Sequence, residues 1–399
     1  MKQAYTFDGV TYPKGSYVVF MNQAHRGLAD TALGIGADIS EDVSILYAPP
    51  AAWSHGYLWG ADVVRVPREA AFSPQANRIL KASHLLGGVE PGTASAYALK
   101  IDSPTAVRTL NALTDEGLTA QLAQAPLTSA GGATLPTGSA IFAADSATKV
   151  RLASIGRAND VWFHRVGTTP PTEPIDRKPR ILVLTGSFNQ DVWSLQNLGF
   201  TPDFMSTGML NSAPEDSLPN YDVIWNTGNY PGAAQTTARQ RLQDFFAAGG
   251  GYIGAGANGA NFLSAGGLVT GLSAAMRGGS GRSAIVYWDI QGGTASPITG
   301  ASPAQDTAIM DPPTWFTSVP TTLSVDGRFA DDFEEIIGSG FWPTDDGLSD
   351  SALGSAVIVH GTTTAGTARA TIFAMNPLYR ADPEREWSMV GLAAYLADQ

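Results

Sequence analysis

The sequence predicts an α/β protein: a doubly wound parallel sheet over residues 179–399, preceded by an α+β or α/β domain over 1–166. Three observations carry this. Arg180-Ile181-Leu182-Val183-Leu184-Thr185-Gly186 and Tyr221-Asp222-Val223-Ile224-Trp225-Asn226-Thr227-Gly228 are near-continuous apolar runs ending in small or polar residues, the pattern of strands covered on both faces. Gly249 to Phe262 reads as a glycine turn, a short buried strand, a sharp glycine-rich elbow and the first turn of a helix. Gly167-Thr168-Thr169-Pro170-Pro171-Thr172-Glu173-Pro174 is proline-rich, polar and stiff, so 167–178 is read as the linker.

The elements follow in order. Tyr5 to Phe20 alternates around Asp8-Gly9, a hairpin signal, and Gln23 to Leu33 has helical spacing. Ser95 to Lys100 reads as a strand, and Ser103 to Gly117 as a capped helix with a glycine stop. Tyr12 to Val19 is echoed by Leu135 to Phe142, each before a helical segment. One strand-turn-strand-helix unit used twice and a chance likeness are both open readings. Beyond the linker, helices are expected over Gln190 to Leu198, Thr236 to Ala248 and Trp387 to Leu396. Further strands are expected over Ala284 to Ile290, Ala356 to His360 and Ala370 to Ala374.

Composition narrows the function. The chain of 399 residues is 44% hydrophobic and 15% charged, which describes a globular protein. A net charge of -12, from 24 basic and 36 acidic residues, argues against a nucleic-acid or anionic-membrane partner. No cysteine is present, which excludes disulfides, thiolate metal sites and a Cys nucleophile. No apolar run approaches the roughly 20 residues of a membrane span. Met1 to Asp8 has no apolar signal-peptide core, which leaves two readings: a chain retained inside the cell, or a piece of something longer.

In parallel sheets the ligand end is the carboxyl end of the strands. Here Thr185-Gly186, Asn226-Thr227-Gly228 and Gly254 to Asn258 are expected to meet on that edge. Enzymes with a nucleophile elbow carry Ser or Cys at its tip. In this chain the tip is Gly256, between Ala255 and Ala257, so the scaffold for a nucleophile is present without the nucleophile.

Gly250-Gly251-Tyr252-Ile253-Gly254-Ala255-Gly256-Ala257-Asn258-Gly259, with the strands at Arg180 and Tyr221, resembles the class I glutamine-amidotransferase-like superfamily in its flavodoxin-like form. The resemblance implies a nucleophilic Cys where Gly256 stands and a His near Phe373 to Pro377, where Asn376 stands. Both departures remove the amidase chemistry. Tyr17 to Ala29 and Ala52-Trp53-Ser54-His55-Gly56-Tyr57-Leu58-Trp59-Gly60-Ala61 resemble the region after the catalytic domain of large bacterial zinc carboxypeptidases. That second resemblance covers about the first 170 residues. It implies a secreted, extracellular protein and a neighbouring peptidase domain as partner. Those peptidases bind zinc through His-x-x-Glu. None of His25, His55, His84, His164 and His360 has Glu three residues on, so no metal site and no cofactor is expected.

The expectation is a non-catalytic accessory or ligand-binding chain with no catalytic residue. Its binding set is Gly186, Asn226, Thr227, Gly254, Gly256, Asn258 and Asn376. Backbone N–H groups at the elbow attract anions or carbonyl oxygens, and the Asn226, Thr227 and Asn376 side chains add hydrogen bonds. The plainer account is close packing by the glycines and strand-end capping by Asn226, Thr227 and Asn376. One alternative is a hydrolase at the same elbow, with Ser187 or Ser264 activated by His360. Another is a carbohydrate- or peptide-binding module, with Trp53, His55, Tyr57 and Trp59 as an aromatic knot. Asp331-Asp332-Phe333-Glu334-Glu335 and Asp345-Asp346 lack calcium-loop spacing and read as solvated loops.

Overall fold

The fold was analysed in a computed structural model that describes residues 1–42, 54–66, 76–79, 87–184, 189–278, 282–344 and 347–399. Gly186, Ser187, Trp53, His84 and the Asp345-Asp346 pair lie outside the described residues.

The second half is built on one continuous sheet. Asp203–Phe204, Ile181–Val183, Val223–Asn226, Gly251–Ala255 and Arg369–Phe373 lie side by side and pair in parallel. In chain order this is 2-1-3-4-5, the flavodoxin-like order. The helices Gln190–Asn197, Thr236–Ala247 and Gly256–Ala265 make the crossovers. Their buried residues, such as Leu195, Leu242, Phe246 and Phe262, explain the helical spacing.

The sheet then departs from the expected parallel pattern. Ala356–Thr362, Leu323–Arg328, Ala284–Ile290 and Gln305–Met310 continue it in antiparallel fashion. The physical reason is connection length. A parallel neighbour needs a crossover of a dozen or more residues. Only residues 363–368 separate Ala356–Thr362 from Arg369–Phe373, so that pair closes as a hairpin. The fifth parallel strand is thus delivered by an antiparallel excursion, and Trp387–Ala397 follows it as the last helix.

The first half resolves into α+β. Ala96–Leu99, Pro104–Asp115, Ala120–Ala123, Ala140–Ala143, Ser146–Asn159 and Trp162–Val166 run strand, helix, strand, strand, helix, strand. The sheet order of those four strands is 2-3-1-4, all antiparallel, which is the split βαβ arrangement of ferredoxin-like domains. Both helices start on side-chain caps. Ser103 Oγ accepts from Ala106 N at 3.2 Å, with Pro104 at the first helical position, and Asp145 Oδ1 accepts from Thr148 N at 2.9 Å. The expected linker is not free chain. Its Thr172–Ile175 pairs with Ala120–Ala123 as the outermost strand, where Pro174 is tolerated because an edge position needs no second ladder bond.

The repeated-unit reading is corrected here. Ala140–Ala143 is an inner strand, whereas Ser16 to Phe20 forms none, and Tyr17 and Phe20 are exposed. The likeness of the two segments is not a likeness of structure. The hairpin Tyr5–Phe7 with Val10–Tyr12 forms around Asp8 and Gly9, both at positive φ. The chain after it lies against the antiparallel extension. Ile39 N donates to Gly340 O at 2.9 Å, and Leu58 of the short helix His55–Trp59 packs with Ile285 and Ile309.

The two halves share one hydrophobic core, which runs from Tyr97 to Ala397. Helix Pro104–Asp115 lies against Trp387–Ala397 with buried polar bonds at the contact. Asn111 Nδ2 donates to Leu198 O at 2.6 Å, and the Tyr395 hydroxyl donates to Asn111 Oδ1. Asp222 clasps the end of the linker to the sheet. Burial alone would raise its carboxyl pKa, but bonds from Arg177, Arg180 and the Arg180 N–H hold it down at about 2. Asn111→Ala would leave the Leu198 carbonyl without the Asn111 donor and take the Asn111 acceptor from the Tyr395 hydroxyl, which keeps Thr114 beside it. The expected loss is about 2–4 kcal/mol in urea unfolding; an unchanged midpoint would show that the contact is dispensable.

Candidate functional site

The elbow is set by three glycines with different tasks. Tyr252 is fully buried and stacks on Phe262 of the following helix, with ring centroids 5.2 Å apart. A Cβ on Gly254 would stand 2.6 Å from Cε1 of that tyrosine. A Cβ on Gly259 would stand 2.8 Å from the carbonyl carbon of Gly254. Helix and strand therefore meet backbone to backbone. Gly256 differs. Its φ is +68°, and no atom of the described residues lies within 4 Å of where a Cβ would be. It is the one elbow glycine with open space above it. The helix it begins has Ala255 as its cap, which offers no polar side chain, and no side-chain cap bond reaches its first N–H groups among the described residues.

Asn226 is part of the scaffold. It is fully buried, its Nδ2 donates to Gly228 O at 2.8 Å and to the Tyr252 hydroxyl at 3.2 Å, and its Oδ1 accepts from Gly228 N at 3.1 Å. The Tyr252 hydroxyl in turn donates to Gly259 O at 2.9 Å. This chain of bonds braces the elbow from below. Asn258 is exposed on the helix that begins there.

Thr227 and Asn376 are brought together around a residue the sequence reading missed. Asp191 lies in the first turn of Gln190–Asn197 and is 2% exposed. Trp225 Nε1 donates to its Oδ2 at 3.0 Å, while its Oδ1 has no hydrogen-bond partner among the described residues. Burial pushes the Asp191 carboxyl up to about 6, and the Trp225, Asn376 and Thr227 side chains pull it partly back. Asn376 also turns its own loop, its Oδ1 accepting from Leu378 N at 3.0 Å. A signal for Asp191 was present in the sequence: a tryptophan inside a buried strand needs an acceptor for its N–H.

The Ser264–His360 pair of the hydrolase alternative is not assembled, and Ser187 lies outside the described residues. Ser264 Oγ donates to Leu272 O at 2.7 Å. His360 is paired with Thr371, which is in register with Ile253, so it faces the side of the sheet opposite Tyr252 and Phe262. The elbow helix that carries Ser264 is on the Tyr252 side. Of the aromatic knot, His55 and Trp59 touch at 5.0 Å, and the Tyr57 hydroxyl accepts from Tyr287 at 2.7 Å in a packing contact. Among the described residues no cluster of three or more metal-ligating side chains occurs, and no helix is long and apolar enough to cross a membrane.

No family model matches the chain, and no curated protein matches it. Among solved structures it is similar to a ThuA-like protein from Bacteroides uniformis, at 14% identity over 53% of this chain and 87% of that one, with a TM-score of 0.36. It is also similar to a protein from Thermoplasma acidophilum described as part of a GMP synthase, at 11% over 55% and 95%, TM-score 0.37. The glutaminase domain of Trypanosoma brucei CTPS gives 11% over 55% and 94%, TM-score 0.32. At these scores the fold assignment rests on the strand order and the elbow.

Two outcomes test this geometry. Gly259→Ala meets backbone and is expected to destabilise by about 1–3 kcal/mol, measured by urea unfolding. Gly256→Ala meets only open space and is expected to cost about 1–2 kcal/mol, from the left-handed backbone alone. If Gly256→Ala proved much the worse of the two, the open tip would be refuted. For Asp191 the raised folded pKa means that the native state holds its proton more tightly than the unfolded chain. Its contribution to stability therefore falls as pH rises from about 4 through 6. Asp191→Asn is expected to flatten that part of the pH–stability profile and to raise stability at pH 7 to 8.

Proposed function

We propose that the chain binds, and does not hydrolyse, a small ligand carrying a carboxamide or carboxylate, held at the carboxyl edge of the parallel sheet. The observation that carries this is Gly256: a left-handed elbow tip that, among the described residues, is open above and begins a helix with no side-chain cap. Such a turn presents backbone N–H groups to a carbonyl or carboxylate oxygen. Removing the nucleophile leaves room for the group a nucleophile would attack. Asn376, where the resemblance implies a His, supplies an amide that can hydrogen-bond but cannot act as a base at neutral pH. Asp191 adds a carboxyl that burial keeps partly protonated near pH 6 and that can then donate.

The wider setting belongs to the same proposal. An accessory role beside a zinc peptidase domain, outside the cell, is supported by the sequence resemblance of the first 170 residues alone.

L-Glutamine and L-glutamate serve as probes on the full chain. At least one is expected to raise the melting temperature, the stabilisation reaching about 1.4 kcal/mol at ten times its Kd. Incubation with L-glutamine is expected to release no ammonia beyond the protein-free control. Gly256→Asn fills the open tip with a residue that tolerates the left-handed region, and should abolish the shift with little change in the unliganded melting temperature. Ammonia release by the wild-type chain, no shift with either probe, or a shift that survives Gly256→Asn would each overturn the reading.

A further inference from the structure

A second cavity lies away from the elbow, where the ferredoxin-like unit meets the large sheet. Its volume is about 230 Å³. Gln124 and Thr137 line it from the first unit, and His360, Arg369 and Thr371 from the second. Pro297, Leu396 and Ala397 form an apolar wall. Its lining holds two basic side chains and no Asp or Glu, in a chain whose net charge is -12.

His360 is held in place from behind. Its Nδ1 is hydrogen-bonded to Asp326, which is 3% exposed and also accepts from Ser296 Oγ. With Nδ1 committed to a carboxylate, Nε2 is the ring's remaining polar atom, and it has no partner among the described residues. Thr137 is 7% exposed, and its Oγ1 has no hydrogen-bond partner among the described residues. Arg369 makes only long contacts, 3.6 Å to Glu173 and 3.4 Å to Gln399 Oε1, and its guanidinium has donors to spare. Glu173 belongs to the edge strand of the first unit, so this loose pair spans the junction.

We propose that this junction cavity binds a small carboxylate with a short aliphatic body, its carboxylate between Arg369 and His360 and its body on the Pro297–Leu396 wall. A bidentate guanidinium is suited to a carboxylate. With its Nδ1–H given to Asp326, the ring offers the carboxylate an Nε2–H donor as the imidazolium, in a direction that Asp326 fixes, as a second group orients a ligating histidine. Its volume suits a small ligand, below the about 300–1,000 Å³ of cavities for drug-sized molecules. A cation would meet Arg369 and His360 with no acid in the lining to pair with it.

The test titrates the full chain with isovalerate and with isovaleramide, which has the same shape and no charge, by calorimetry and by following the His360 ring signals in NMR. Isovalerate is expected to bind and to move the His360 signals, with isovaleramide at least about tenfold weaker, since a charge-assisted bond is lost. Arg369→Gln, at a half-exposed position that leaves the core intact, is expected to weaken isovalerate at least about tenfold. The same titration on Gly256→Asn, whose elbow is blocked, reads this cavity apart from the elbow through the His360 signals. Equal affinity for acid and amide, indifference to Arg369→Gln, or no isovalerate-dependent change in heat or in the His360 signals would overturn the proposal.

Discussion

The approach of Gly259 to the backbone of Gly254 is the constraint on which the second half depends. A side chain at Gly259 would lift the helix Gly256–Ala265 from the sheet, and one at Gly254 would strike the Tyr252 ring. Held down, the helix buries Phe262 on Tyr252, and the Tyr252 hydroxyl reaches Gly259 O and Asn226. The same contact fixes the turn at Gly256 in the left-handed region. Packing therefore forms the elbow, and the open tip is what remains when no nucleophile occupies it.

Around that elbow the sheet sorts its polar residues by face. Adjacent residues on a strand point to opposite sides. Asn226 faces Tyr252 and is used up bracing the turn, while Trp225, its neighbour, meets Asp191 on the other side. Asp191 meets the Trp225, Asn376 and Thr227 side chains there and loses its hydration, and desolvation dominates its titration. A buried carboxyl of this kind costs stability near neutral pH.

The two halves are joined by more than a tether. Asn111 bonds to Leu198 O and Tyr395 within a shared core, and Asp222 gathers Arg177 and Arg180 at the end of the edge strand. That docking closes the cavity lined by Gln124, Thr137, His360 and Arg369, residues far apart in the chain. The ferredoxin-like unit is thus a wall of a cavity as well as a domain.

By itself the sequence determined the elements whose signals are local. Apolar runs marked Ile181–Val183, Val223–Asn226 and Gly251–Ala255; Ser103-Pro104 and Gly117 marked a helix and its stop; Asp8-Gly9 marked a hairpin. The absence of Cys and the glycine at position 256 were equally plain. Tertiary structure alone decided the direction of the later strands, because antiparallel pairing depends on which strands become neighbours. It also placed Thr172–Ile175 in a sheet, where a proline-rich segment finds an edge that asks little of its N–H groups. The polar groups were beyond local reading for the same reason. Asp191 acquires its character from Trp225, Thr227 and Asn376, and His360 from Asp326, partners 34 residues or more away in every case where a hydrogen bond joins them. Charge and burial are properties of a neighbourhood, and the neighbourhood exists only once the chain has folded.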